Sequence, residues 1–350
     1  MDIFQIFKKK STENDNRKNV DTLKMYVPAL SALLTRAEQL KGERLTKEQV
    51  EQIATNAARI EIPRDIAMKT SGYEPVMPDT AWEYWQKLKA EQAKPKPRHV
   101  ICVLGNWENF DTIESVLEEQ LVTFTLDRDY SSFSSNPKMK RSFSVNQDKL
   151  PTSLTPEDWN AVEDHSAVAY ILSNPLETKN AEAVSGEALL LIQSLFNHGA
   201  IAVQSESAGL AHGKAKWIQL AEKYRDALKN GTDFDAGIIL YQAWVQRGIV
   251  ERDHISYTLG MHLLGQKDIE YQQNDETPEV EIEWKDLLGY YIMGDKPERP
   301  LLEGEGFRLP SDSDERRVIS LTYCARYSKD DFQHNPYGYY RLNIDPKIKV

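Results

Sequence analysis

The sequence predicts an α+β protein: a ferredoxin-like split βαβ sheet core with added strands and helices, preceded by an N-terminal helical region. Three observations carry this reading. Up to about residue 91 the apolar side chains recur at helical steps of three and four. The segment Ala93-Lys-Pro-Lys-Pro-Arg98 then has two prolines two residues apart and no large apolar side chain, which favours an extended linker. Beyond it, β-branched runs alternate with helical patterns in the order β-α-β, β-α-β, the order of a split βαβ sheet with helices on one face. Two parts follow: 1–98, a helical region ending in the linker at 93–98, and 99–350, an α+β domain.

In the first part, Ser11 to Asn19 is polar and reads as a flexible lead-in. Leu23, Val27, Leu30, Leu33, Leu34, Ala37 and Leu40 form one apolar stripe, predicting a helix that ends near Gly42. Thr46 with Gln49 three residues on is a capping-box signature, and Val50, Ile53, Ala57 and Ile60 are the expected buried face of a second helix ended by Pro63. Pro75 and Pro78 fix a turn before a third helix over 80–91 that carries Trp82 and Trp85.

In the second part, His99 to Leu104 predicts a buried strand, Asn109 to Glu119 a helix, and Leu121 to Leu126 a strand. Asp127 to Pro151 is rich in Ser, Lys and Asn and reads as a long surface insertion. Thr155 caps a short helix; strands over Ala167–Leu172 and Ala200–Gln204 flank an apolar helix over Ala181–Asn197. A doubly wound parallel sheet has the same spacing and differs only in strand order, so it stays open as the alternative. Further on, Gly213 to Leu228 predicts a helix with Trp217 and Leu220 in its stripe. Ile238–Val245 and Ile269–Gln272 read as strands, Glu281–Ile292 as a helix, and Val318–Tyr323 and Tyr339–Ile344 as strands that close the sheet.

Composition narrows the function classes. With 40% hydrophobic residues, 7 Trp, 16 Tyr and 10 Phe the 350-residue chain has the material for real cores. No stretch approaches 18 apolar residues, so no transmembrane segment is expected. Residues 1–98 carry 18 basic and 14 acidic side chains, net +4, whereas 99–350 carry 25 and 40, net −15. That charge repels a phosphate backbone, so nucleic-acid binding is disfavoured. The two cysteines, Cys102 and Cys324, are too few for a disulfide framework, and a reducing cytoplasm is the expected compartment. Ile3, Phe4, Ile6 and Phe7 precede Lys8, Lys9 and Lys10; this is no signal peptide, but it is compatible with a short amphipathic anchor and hence a peripheral membrane adaptor.

Two stretches hold the candidate site residues. Asp268, Glu270, Asp275, Glu276, Glu279, Glu281, Glu283 and Asp286 face only Lys285 within 268–286, which reads as an acidic face able to dock a basic protein partner. His198 to Lys214 places Ser205, Glu206, Ser207, Gly209 and His212 between a strand and a helix, where α/β loops commonly hold ligands. Ser205-Glu-Ser-Ala-Gly209 is one residue from a nucleophile elbow, with Asp253, His254 and His334 as scattered downstream partners. Gly209 to Lys214 fails the phosphate-loop spacing. His165, His198, His212, His254 and His262 lie close in sequence, but no metal-ligand spacing is complete and neither metal nor cofactor is expected. A tight strand-to-helix turn without chemistry is the structural alternative for the whole segment.

Together with Thr258-Leu-Gly260 and the acidic Ile269-Glu270, the strand Gly199-Ala-Ile-Ala-Val203, the turn Ser207-Ala-Gly209 and Trp217 resemble the bacterial domain of unknown function 4261 family over about 165–295. The resemblance implies a bacterial cytosolic α+β domain and brings no catalytic residue with it. The leading expectation is a non-enzymatic, protein-binding role in the manner of an immunity or inhibitor protein with an acidic face. The rival is a hydrolase using Glu206, Ser207 and His212, which requires those side chains to converge in a concave site.

Overall fold

The computed structural model describes residues 22–64, 76–92, 96–120, 124–148, 154–250, 255–272, 278–308, 316–322 and 326–344. Two compact units divide at Lys94/Pro95. In the first, β1 (Thr22–Tyr26) pairs antiparallel with β2 (Arg59–Pro63), and α1 (Leu30–Lys41), α2 (Lys47–Asn56) and α3 (Ala81–Gln92) pack through Leu30, Leu34, Val50, Ala54, Ala81 and Trp85. The Thr46 capping box forms: the Gln49 N–H donates to Thr46 Oγ1, and the Thr46 N–H donates to Gln49 Oε1 at 3.0 Å. Pro28 disfavours a helical residue before it, so the expected stripe from Leu23 is split between β1 and α1. Ile60 leaves α2 for β2 and is exposed.

The second unit opens with the split βαβ sheet. Its strands are β3 (Val100–Gly105), β4 (Phe124–Ser132), β5 (Ala167–Ser173), β6 (Ala200–Ser205) and β7 (Leu210–Ala211), in the order β4-β5-β3-β6-β7 and antiparallel throughout. Strand β5 thus lies between the parallel-running β3 and β4, and β3 lies between β5 and β6. This rules out the doubly wound alternative. Helices α4 (Asp111–Glu118) and α7 (Ala181–Asn197) make the two crossovers and bury Ile113, Val116, Ala188 and Ile192 in one core with Ile101, Val103, Ala169, Ile171 and Val203.

The opposite face is also partly covered, which the sequence reading did not foresee. The stretch after Asp127 is not a surface insertion. It continues β4 and then forms α5 (Lys138–Asn146), and with α6 (Pro156–Glu163) it packs Met139, Phe143 and Val162 onto Cys102, Leu104, Val168 and Ala202. Phe143 is fully buried; burying such a ring stabilises by about 1.5–3 kcal/mol, which holds an otherwise polar helix in place.

Helices α8 (Lys214–Asn230) and α9 (Asp233–Trp244) follow, so the expected strand over 238–245 is a helix. Its Ile-Ile-Leu-Tyr-Gln-Ala-Trp run is apolar on nearly every side because α9 is buried on nearly every side, and a short apolar run has no period that separates helix from strand. A second sheet follows: β8 (Gln246–Val250), β9 (Ile255–Leu259), β10 (Asp268–Gln272), β11 (Gly306–Arg308), β12 (Arg316–Thr322) and β13 (Tyr339–Ile344), in the order β11-β12-β13-β10-β9-β8. The C-terminal strands therefore do not close the first sheet; β13 pairs parallel with β10 in a sheet of their own. Helix α10 (Pro278–Tyr290) runs into one π-helical turn, Tyr291–Asp295. Among the described residues no helix is long and apolar enough to cross a membrane.

Candidate functional site

The turn between β6 and β7 is tied down by its own serines. Ser205 Oγ accepts the Ala208 N–H at 3.2 Å, and Ser207 Oγ accepts the Val100 N–H of β3 at 3.1 Å. Gly209 closes the turn at φ +55°, where a side chain is disfavoured. His212 is buried beyond β7, its Nδ1 3.4 Å from Asp148 Oδ2 and its ring edge-on to Trp217. Ser207, Glu206 and His212 each bond to different partners, and none bonds to another, so the structure does not bring the proposed hydrolytic residues together. Both serine hydroxyls serve the backbone, and neither meets a base.

Three further histidines contact backbone groups. His165 Nδ1 faces the Val162 carbonyl at 2.6 Å while its Nε2 accepts the Asn136 N–H, and His198 Nδ1 faces the Ser194 carbonyl. His262 Nε2 contacts the Phe332 carbonyl at 3.2 Å; burial pushes its imidazole down to about 4. Burial likewise takes His99 to about 3, with His262 adding to the shift. Among the described residues no group of three His, Cys, Asp or Glu is placed to hold a metal. Asp253 and His254 lie outside the described residues.

The expected acidic face turns largely inward. Asp268 is fully buried: its Oδ1 accepts the Thr258 hydroxyl at 3.0 Å and the Met261 N–H at 3.2 Å, and its Oδ2 accepts the Asn335 amide at 2.7 Å. Burial outweighs these donors and pushes its carboxyl up to about 7. Glu270, also buried, pairs with Arg326 and with Arg341, whose Nη2 and Nε lie 2.7 and 2.8 Å from Oε2. Burial raises its pKa, but the two guanidinium groups outweigh that and hold it below the usual range. Glu281 is buried beside Lys285, whose ammonium donates to the Arg247 carbonyl and the Ser256 hydroxyl and is pushed down by burial to about 8. Glu279 and Glu283 are exposed; Asp275 and Glu276 lie outside the described residues, as do Ile3, Phe4, Ile6 and Phe7. The correction has a physical cause: a β-strand buried on both faces has no water for its carboxylates, so they are paired or hydrogen-bonded.

The concave site lies elsewhere, on the half of the first sheet that α5 and α6 leave bare. Strand alternation puts Val100 and Cys102 of β3, Tyr170 and Leu172 of β5, and Gln204 and Glu206 of the β6 end on one face, with Val100 opposite Leu172 and Cys102 opposite both Tyr170 and Gln204. The helices cover the Cys102 end of this face. The Val100 end floors a cleft of about 670 Å³. Asp127 and Tyr130 of β4 form one side, Lys329 to His334 the other, and Lys96 and Arg98 the lip. Tyr130 is 75% exposed and Phe332 45%, an unusual amount of aromatic surface to leave in water.

Glu206 stands at the floor of this cleft. Its Oε1 accepts the Gln204 amide at 2.8 Å, and Gln204 in turn holds the Ser142 hydroxyl at 2.8 Å and the Asn146 amide at 3.2 Å. Burial pushes the Glu206 carboxyl up, against hydrogen bonds from Ser142 and Gln204. Behind it, burial and the Glu206 charge push the Cys102 thiol up to about 12, and burial raises the Tyr170 phenol, so neither ionises near neutrality.

Glu206 was singled out in the sequence, but for partners it does not have. Tyr130, Tyr170, Arg98 and Phe332 were missed, because only the strand order and the return of the C-terminal segment place them beside it. Comparison of the chain with protein-family models, with curated proteins and with solved structures finds no match in any of the three.

Proposed function

We propose that this is a non-enzymatic binding protein whose recognition surface for a protein or peptide partner is the cleft over Val100, Tyr170, Leu172 and Glu206. One observation carries the reading: the floor of a 670 Å³ cleft is a bare half-face of sheet walled by exposed aromatics. Solvent-exposed Tyr and Phe around a desolvated centre are the composition of an interface anchor pocket. The volume suits one or two inserted side chains or a small molecule. The surrounding second unit is acidic, and the partner is accordingly basic. The immunity- or inhibitor-like role and the bacterial cytoplasmic setting are proposed with it, on charge and on the resemblance of 165–295 to the domain of unknown function 4261 family.

The test is to pan the full-length protein against displayed random peptides. Enriched peptides should lose binding to Tyr130→Ala and Phe332→Ala and keep it when exposed Leu228 of the same unit, which does not line the cleft, is replaced by Ala. Enrichment indifferent to Tyr130 and Phe332 refutes the cleft as the recognition surface.

A further inference from the structure

The geometry points to an arginine side chain of the partner as the group the cleft seats, its guanidinium on the Glu206 carboxylate and its flat face against the aromatic wall. This rests on the binding reading above and names its ligand. The first support is an imbalance at Glu206. The carboxylate is half-buried, yet its partners are the Gln204 amide and the Ser142 hydroxyl, both neutral, and among the described residues no cation pairs with it. A carboxylate desolvated without a counter-charge is costly, and the cost is relieved when a cation arrives.

The second support is the same unit's treatment of Glu270, a fully buried glutamate. Glu270 receives two guanidinium groups, and the Arg326 one lies 4.5 Å from the Tyr257 ring centroid and 4.7 Å from that of Tyr339. Carboxylate, arginine and tyrosine faces form one closed set there. The cleft holds the carboxylate and the tyrosines, Tyr130 and Tyr170, with ring centroids 6.4 Å apart, and among the described residues no guanidinium bonds the carboxylate. Burial raises both carboxyls; at Glu270 the two arginines outweigh it, whereas at Glu206 the neutral donors do not.

The charges at the mouth do not fill that role. Arg98 and Lys329 are exposed, so water screens them. Asp127, on the near wall, accepts the Asp129 and Tyr130 N–H groups through Oδ1 and adds a second carboxylate near the entrance. Arginine is favoured over lysine because a planar, weakly hydrated guanidinium stacks on rings and bonds a carboxylate at once.

The experiment is a calorimetric titration of the full-length protein at pH 7.5 with two peptides, acetyl-Tyr-Arg-Tyr-amide and the same peptide with citrulline, the neutral isostere, in place of arginine. The arginine peptide should bind at least tenfold tighter. Glu206→Gln should bring the two together, and Glu206→Asp should restore part of the difference. Thermal melts separate binding from folding: the neutral glutamine suits a buried site, so Glu206→Gln should melt no lower than wild type. Equal affinities for the two peptides in the wild type, both lost in Tyr130→Ala, overturn the arginine assignment while supporting the cleft. A tenfold preference that survives Glu206→Gln overturns it as well, and so does the absence of binding by either peptide, in which case the panning result decides the cleft.

Discussion

Replacing Glu270 by glutamine keeps the side chain's length and one carbonyl oxygen while removing its charge. Two guanidinium groups and the Thr322 hydroxyl converge on that carboxylate. Arg341 is 30% exposed and can turn to water, so its share is small. Arg326 is 7% exposed and stacked between Tyr257 and Tyr339, so it has no such route. Breaking a buried pair by removing one partner costs about 3–5 kcal/mol, because the other charge is left uncompensated. Discounting the Arg341 side places the expected loss near the lower end, at about 3 kcal/mol. Urea is the suitable denaturant because it does not screen ion pairs, and the fluorescence of buried Trp244, Trp217 and Trp284 reports on this unit. A loss below about 1 kcal/mol, the worth of an exposed pair, would refute the interior placement of the acidic strand.

Other outcomes follow from the same packing. Phe143→Ala should destabilise the second unit by about 3–5 kcal/mol in the same urea assay, whereas a surface insertion would lose almost nothing. Thr46→Ala removes the capping-box acceptor from the Gln49 N–H and should cost the first unit about 1 kcal/mol by chemical denaturation. His99 and His262 have depressed values, so NMR should find both rings neutral and unmoved between pH 8 and pH 5; a ring titrating near 6.5 contradicts their burial. The affinity for the arginine peptide is full where Glu206 is ionised and falls as pH drops through its raised value, because the protonated carboxyl carries no charge. Of the groups around it, Cys102 and Tyr170 stay protonated over that range, Asp127 and Asp331 are tied to backbone N–H groups, and His334→Gln should leave the trend in place.

Much of the fold was legible where the signal was local. Thr46 and Gln49 fixed the start of α2 through side chains three residues apart, and the alternation of strand and helix over 99–205 gave the split βαβ order. What was illegible depended on partners far along the chain. Asp268 and Glu270 look like a solvated acidic run because Arg326 and Arg341 stand 56 and 71 residues after Glu270, and Asn335 stands 67 after Asp268. Phe143 and Met139 are two apolar residues in a polar stretch, too few to announce that α5 covers a sheet face. The site was half legible for the same reason. Glu206 stood out by its place between strand and helix, but Ser207 and His212 proved to be fastened to Val100 and Asp148, and the tyrosines that make Glu206 a floor come from two other strands.

The cleft and the acidic surface make opposite claims about where a basic ligand lands, and NMR chemical-shift mapping of the arginine peptide on the full-length protein separates them. The account predicts that the largest shifts fall on Glu206, Val100, Tyr170, Leu172 and Phe332 and vanish in Glu206→Gln. Shifts centred on Glu279 and Glu283 of α10, with the cleft residues unmoved, would contradict it.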